Sequence, residues 1–365
     1  MNGQQYPNLH DRSRLIGVAG NQRKKLKSHM RRLDLAKFIR LGQQADPVIL
    51  DALGRGAPAD FKPALSYHFD VAGKRMRAAM VVLSCGAAGG RVERAVRPAA
   101  VVEMIHNYSL VMDDLIDRGE VRRGRPTVRV VMGDSTALLI AMYYREVLDD
   151  LIEQSPASSQ LRTVAVKTMK EIIDGERLDL LLEQAGRTDP YLIENRISEP
   201  SFKSYIDMVG KKTASLFKAA GQIGAYAAKA EPQIVNALGT FGWKAGLAFQ
   251  VMDDVLDICG EKTGKQKAKD IIEHKLGNAA ILVAMRFLPR RERLDLMKII
   301  GSKRVSKRMV RRAISIVNRT PAEKECKEIA MRYLEDAKKS LSALKPSPFR
   351  DALSDLADQV VARSY

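Results

Sequence analysis

Two segments of this chain end long apolar runs on the same acidic triplet. "VVEMIHNYSLVM" (residues 101–112) leads into Asp113, Asp114 and Asp117, and "GLAFQVM" (246–252) leads into Asp253, Asp254 and Asp257. Both runs repeat apolar residues at helical spacing and are apolar on almost every side, which marks a buried central helix. On a helix, residues one and four apart lie about 100° and 40° round the axis, so each triplet is expected to share one face. Unpaired buried carboxylates are costly, and the partial negative charge at a helix C-terminus adds to that cost. If both helices point the same way in the core, six carboxylates face one another across a cavity, and only multivalent cations make that tolerable.

All-oxygen donors suit Mg²⁺, which binds through a few carboxylates, keeps some waters and takes its other ligands from substrate phosphates. Basic residues accompany both triplets. Arg122 and Arg123 follow the first, and Lys265 and Lys275 follow the second. Lys74, Arg75 and Arg77 lie in "AGKRMR", and Lys211 and Lys212 in "GKKTA". Carboxylates for a metal beside Arg and Lys for phosphate oxygens describe a diphosphate-binding site.

The rest of the sequence repeats the helical period, and alternating strand patterns are scarce, so the expected fold is all-α. Breaks at Gly89-Gly90, "RRGRPT", "QSPASSQ", "GRTDP", "ISEPS", "AEPQ", "CGEKTGK" and "NRTPAE" leave roughly ten to fourteen helices. None is long enough to be a linker, which predicts one large helical domain over 46–365 behind a basic extension at 1–45. No run reaches the roughly 20 apolar residues of a membrane span, and no signal peptide is visible. Cys85, Cys259 and Cys326 have no metal-ligand spacing, so a reducing cytoplasm is expected. The net charge of +18 implies a polyanionic partner without saying which.

From about residue 70 to the C-terminal "LADQVVARSY" these motifs resemble the trans-type isoprenyl diphosphate synthases of the polyprenyl synthase family. "DDLID" with "RRGRPT" looks like the first aspartate-rich motif and "GLAFQVMDDVLD" like the second. "GKRMR", "KTA", "GK" at 264–265 and "KDIIEHKLGN" stand in the expected order. The resemblance implies an isoprenoid synthase fold around a deep apolar cavity, and a homodimer. It implies that Asp113, Asp117 and Asp253 bind Mg²⁺ with the allylic diphosphate, supported by Asp114, Asp254 and Asp257. Arg122, Lys212, Thr213, Gln250 and Lys265 would hold that diphosphate, with Lys212, Gln250 and Lys265 closest to the chemistry. Lys74, Arg75, Arg77, His106 and Arg123 would hold isopentenyl diphosphate.

The implied reaction is ionisation of the allylic C–O bond, attack by the homoallylic double bond and loss of a proton. Tyr108, five residues before Asp113, is expected about 7.5 Å along the axis, as a floor for the growing chain, with the small Ser109 beside it. The aromatic at this position and "KDIIEHKLGN" resemble the archaeal geranylgeranyl type, so a C20 product is expected, with C15 or longer chains as alternatives. Ala72, Ala78, Ala141-Met142 and Glu176 depart from the family pattern. Glu176, in place of a frequent glutamine, adds a carboxylate near the site. A terpene cyclase shares only the first motif.

The rival reading is a basic helical protein that binds nucleic acid or anionic lipid through "KRVSKRMVRRAISIVNR" (303–319). That segment lacks interleaved aromatics and a reading helix. It is read instead as a solvated surface helix able to make weak peripheral contact with a membrane, and no nucleic acid is expected.

Overall fold

The computed structural model describes residues 40–70, 73–260 and 268–362, so residues 1–39 of the basic extension, Ala72 and Lys265 lie outside the described residues. Within them are thirteen helices of eight residues or more. In order they are α1 Ala45–Gly54, α2 Met76–Ala87, α3 Val96–Ile116, α4 Asp134–Glu153, α5 Ser158–Leu181, α6 Phe202–Val209 and α7 Ser215–Ala227. Then follow α8 Pro232–Cys259, α9 Ala279–Phe287, α10 Arg290–Ile300, α11 Lys307–Asn318, α12 Ala322–Ser340 and α13 Pro348–Ala362.

The helix starts are chemically marked. Ser201 and Ser204 form a capping box ahead of α6, Asn278 caps α9 by accepting from the Ile281 amide, and Pro232 opens α8 where its missing N–H costs nothing. α8 stops at Gly260, as expected, directly after the second acidic triplet.

The acidic helices are central. Along α3, residues 98–105 are all buried. α7 packs against α2, α3, α5 and α8 and so holds the two acidic helices in one core. Its run of small residues permits this closeness: a Cβ on Gly224 would stand 2.3 Å from the Val81 carbonyl oxygen. One continuous apolar cluster runs from Ala45 on α1 to Ala357 on α13. No helix among the described residues is long and apolar enough to cross a membrane.

The all-α expectation holds with one small addition. "RRGRPT" is a hairpin, β1 Val121–Arg122 paired antiparallel with β2 Arg125–Pro126. Arg123 and Gly124 take positive φ at its tip (53° and 77°), the pattern of a type I′ turn whose twist matches paired strands.

Candidate active site

α3 ends in the first acidic motif, and the hairpin folds straight back onto it. Arg122 grips Asp114 with two charge-assisted hydrogen bonds, Nε to Oδ2 at 2.8 Å and Nη2 to Oδ1 at 2.8 Å. Asp117, at the helix C-cap, accepts from Nη2 of Arg187 at 3.2 Å and lies 3.4 Å from the Lys275 ammonium. Arg187 also donates to the Ile116 carbonyl at 2.7 Å, which offsets the negative end of the helix. Burial pushes the Asp117 carboxyl up, but Lys275, Lys212 and Lys269 outweigh it and hold it below the usual range. Asp113 goes the other way: burial raises it, and Asp117 adds to that against the opposing charges of Lys212 and Arg122.

Lys212 comes from a π-turn at Gly210–Ala214, between α6 and α7. Its ammonium lies 2.7 Å from Asp179 and 2.5 Å from Glu176, both on α5. Gly175 makes room for it, because a Cβ there would stand 2.2 Å from the Lys212 amide nitrogen. Lys275 arrives from the opposite side, its backbone bridged to Glu183, and touches Asp179 at 3.1 Å. Burial pushes the Asp179 carboxyl up, but the two lysines overcome that and hold it well below the carboxylate range. Glu176 is pushed up to about 7 by burial and by Asp113 and Asp179, with Lys212 opposing, and its Oε1 is buried without a hydrogen bond.

The second motif joins the same network. Thr213 donates to Gln250 at 2.9 Å, and Gln250 donates to Asp254 at 3.0 Å. Asp254 also accepts from the Tyr205 hydroxyl at 2.7 Å and from the Ala279 amide at 2.9 Å, so it anchors the start of α9. Asp257 accepts from the amides of Lys269 and Asp270 at 2.9 and 3.2 Å. Asp270, buried beside Asp257 and within the field of Lys275, is pushed up to about 7. Asp253 is half-buried on α8 between these anchors. The first triplet is thus tied through Lys275 and Asp179 to Lys212, and the next residue, Thr213, leads through Gln250 to Asp254 of the second. Asp114, Asp254 and Asp257 differ from the picture of six acids facing one another, since protein donors already hold them.

A second basic pocket adjoins the first. Arg77 on α2 lies 3.2 Å from Nε2 of His106 and 4.5 Å from the centre of the Phe217 ring. Burial holds His106 well below its ordinary pKa, with Arg77 and Arg123 adding to the effect. The imidazole is neutral, and its Nε2 accepts from Arg77, which leaves the proton on Nδ1. Arg123, exposed at the hairpin tip, reaches Gly73, where a Cβ would stand 3.0 Å from its Nη1. Lys74 is exposed.

Arg75 departs from expectation. It is buried in the left-handed conformation and bonded to Asp46 at 2.6 Å and Glu103 at 3.2 Å, so it ties α1 to α3 rather than standing open to a ligand. His68 is an unforeseen member of this pocket. It is held at about 3 by burial and by Arg123, Arg122 and Arg75, and its buried Nε2 has no partner. Asp179, Arg187 and Asp270 were also absent from the sequence reading. Glu176 and Asp179 of "DGERLD", three apart on one helical face, were legible as a pair; Arg187, in a loop, carried no signal.

Among the described residues, no group of three or more His, Cys, Asp or Glu side chains is arranged to hold a metal ion by itself. Carboxylates balanced by ammonium groups, with an acid oxygen left without a donor, fit an ion that uses few protein ligands and completes its shell with phosphate oxygens.

Comparison with known proteins agrees. A family model described as polyprenyl synthetase matches residues 58–317, and the chain belongs to that family of prenyltransferases. It is 31% identical over 327 residues to the geranylgeranyl diphosphate synthase of Methanosarcina mazei, covering 88% of this chain and 95% of that one. The fold matches the geranylgeranyl pyrophosphate synthetase of Pyrococcus horikoshii with a TM-score of 0.80 at 27% identity, covering 90% and 98% of the two chains. It matches a Caulobacter crescentus polyprenyl synthase, solved with calcium and isoprenyl diphosphate, with a TM-score of 0.79 at 28% identity over 92% and 97%.

Proposed function

We propose that this chain is a Mg²⁺-dependent trans-prenyltransferase that condenses isopentenyl diphosphate with an allylic diphosphate to give geranylgeranyl diphosphate. The reading rests most on the run of contacts that links the two acidic motifs, from Asp117 through Lys275 and Asp179 to Lys212, and from its neighbour Thr213 through Gln250 to Asp254. The names of the Methanosarcina and Pyrococcus relatives support the C20 product, and the calcium in the Caulobacter structure supports a divalent ion.

Asp113, Asp117 and Asp253 would hold Mg²⁺ directly, with Asp114, Asp254 and Asp257 holding the surrounding structure. When bound, Mg²⁺ supplies positive charge against the negative charge that grows on the departing diphosphate. Lys212, Thr213, Gln250, Arg122 and Lys265 would bind that diphosphate. Arg77, His106, Arg123 and Lys74 would bind isopentenyl diphosphate, the neutral His106 donating through Nδ1. An apolar cavity along α3, past Ser109 to Tyr108, would receive the growing chain and exclude water. The working form would be a cytoplasmic homodimer.

Incubation with labelled isopentenyl diphosphate and C5, C10 or C15 primers, followed by chromatography, tests this. A C20 product that disappears with EDTA and in Asp113→Ala and Asp253→Ala is expected. Turnover unaffected by those changes refutes the proposal.

A further inference from the structure

Much of the charge that the active site does not use is concentrated in one stretch of the described residues. From Arg286 to Arg319 the chain carries twelve arginines and lysines against two acids, more than half of its net +18. Both acids are engaged: Arg312 bonds Asp295 at 2.6 Å and Arg319 bonds Glu292 at 2.9 Å. As one index falls the other rises, so α10 and α11 pack antiparallel along this ion-paired edge.

The exposed faces of the two helices follow from the same pairs. On α10 the step from Asp295 to the exposed Leu294 is one residue back, and on α11 the step from Arg312 to the exposed Arg311 is also one residue back. Each is a turn of about 100° in the same sense, and antiparallel packing reverses that sense between the helices, so both faces look out on the same side. Leu294 is 60% exposed at the centre of the α10 face, with Arg290 and Lys298 one turn to either side and Arg291 adjacent. Phe287, 46% exposed, stands just before that helix. Lys307, Arg308 and Arg311 are all exposed on α11.

We infer that this face is a docking surface for an anionic lipid bilayer. Cations ringed around outward apolar side chains match an interface of phosphate headgroups over hydrocarbon, where the charges hold the surface and Leu294 and Phe287 insert. A nucleic-acid backbone would satisfy the cations but has no use for the exposed Leu294 at their centre. The inference is independent of the proposed reaction, because vesicle binding is read without turnover.

The test is flotation of the full chain with phosphatidylcholine vesicles, with and without about one third phosphatidylglycerol. Binding only to the anionic vesicles is expected, weakening as salt rises from about 0.1 to 0.5 M. Replacing Arg290, Arg291 and Lys298 together by Glu should reduce binding at least about tenfold, a triple Gln variant less so. Leu294→Ser should weaken it several-fold at unchanged charge. Unchanged helical circular dichroism and melting temperature would show that the variants are folded. Equal binding to neutral vesicles, or full binding by the triple Glu variant, overturns the inference. So does tighter binding to a single-stranded RNA that Leu294→Ser leaves untouched.

Discussion

At the residue scale, burial disfavours the charge on Asp113 and on Asp254 alike, but only Asp254 also anchors the surrounding structure. Burial raises Asp113, so its ionisation costs stability. That contribution is present below the carboxyl's unfolded pKa and lost as pH rises through the raised value in the fold. Asp113→Asn should therefore keep or raise the melting temperature at pH 8 while abolishing metal-dependent turnover, and a fall in melting temperature there would place Asp113 among the anchors. Asp254 is raised by burial too, but it carries hydrogen bonds that the fold needs. Its loss leaves the Tyr205 hydroxyl and the Ala279 amide without acceptors in the core. Each buried orphan costs about 1–3 kcal/mol, so Asp254→Ala should lower stability by that order in calorimetry, whether or not substrate is present. Glu176, raised to about 7 from 4.5, is neutral near pH 5 and charged at pH 8. With EDTA present, the stability of Glu176→Gln relative to the parent should rise across that interval, by on the order of 2 kcal/mol. A flat difference would mean that the Lys212 pair fully offsets the burial of the charge.

At the element scale, α3 serves as scaffold, charge carrier and ruler. Its buried stretch from 98 to 105 fixes the axis, its last turn presents the acids, and Tyr108 and Ser109 lie between. Tyr108→Ala should lengthen the product by about one isoprene unit, as read by reversed-phase chromatography, because about 7.5 Å of helix separates it from Asp113. An unchanged C20 product would move the floor to another element. The acidic ends of α3 and α8 were legible because buried runs that stop on charge violate the ordinary pattern of a core helix. What could not be read was how each acid is satisfied. Asp114 meets Arg122 only because a hairpin with positive φ at Arg123 and Gly124 reverses the chain, and the acidic partners of Arg75 lie 28 and 29 residues away on other helices. Such pairings depend on helix packing, which periodicity does not encode.

At the scale of the whole molecule, the helical period was enough to read the all-α class, and breaks such as "AEPQ" and "ISEPS" fall where α8 and α6 begin. They said nothing about which outward faces find partners. α4 is the clearest instance: Leu138, Leu139 and Met142, at positions i, i+1 and i+4, are 46%, 56% and 58% exposed. Val130 and Val131, just before that helix, are 50% and 52% exposed. Met142 is one of the departures from the family pattern, and here it extends an apolar stripe that isolated water would disfavour. If a second copy covers this stripe, burying three such side chains contributes about 1.5–3 kcal/mol each per subunit, and one carboxylate in its centre opposes all of it. Leu139→Asp should then convert the dimer to a monomer in sedimentation equilibrium without loss of helical circular dichroism. A parent chain that sediments as a monomer, or a variant that still pairs, would assign the stripe to some other contact.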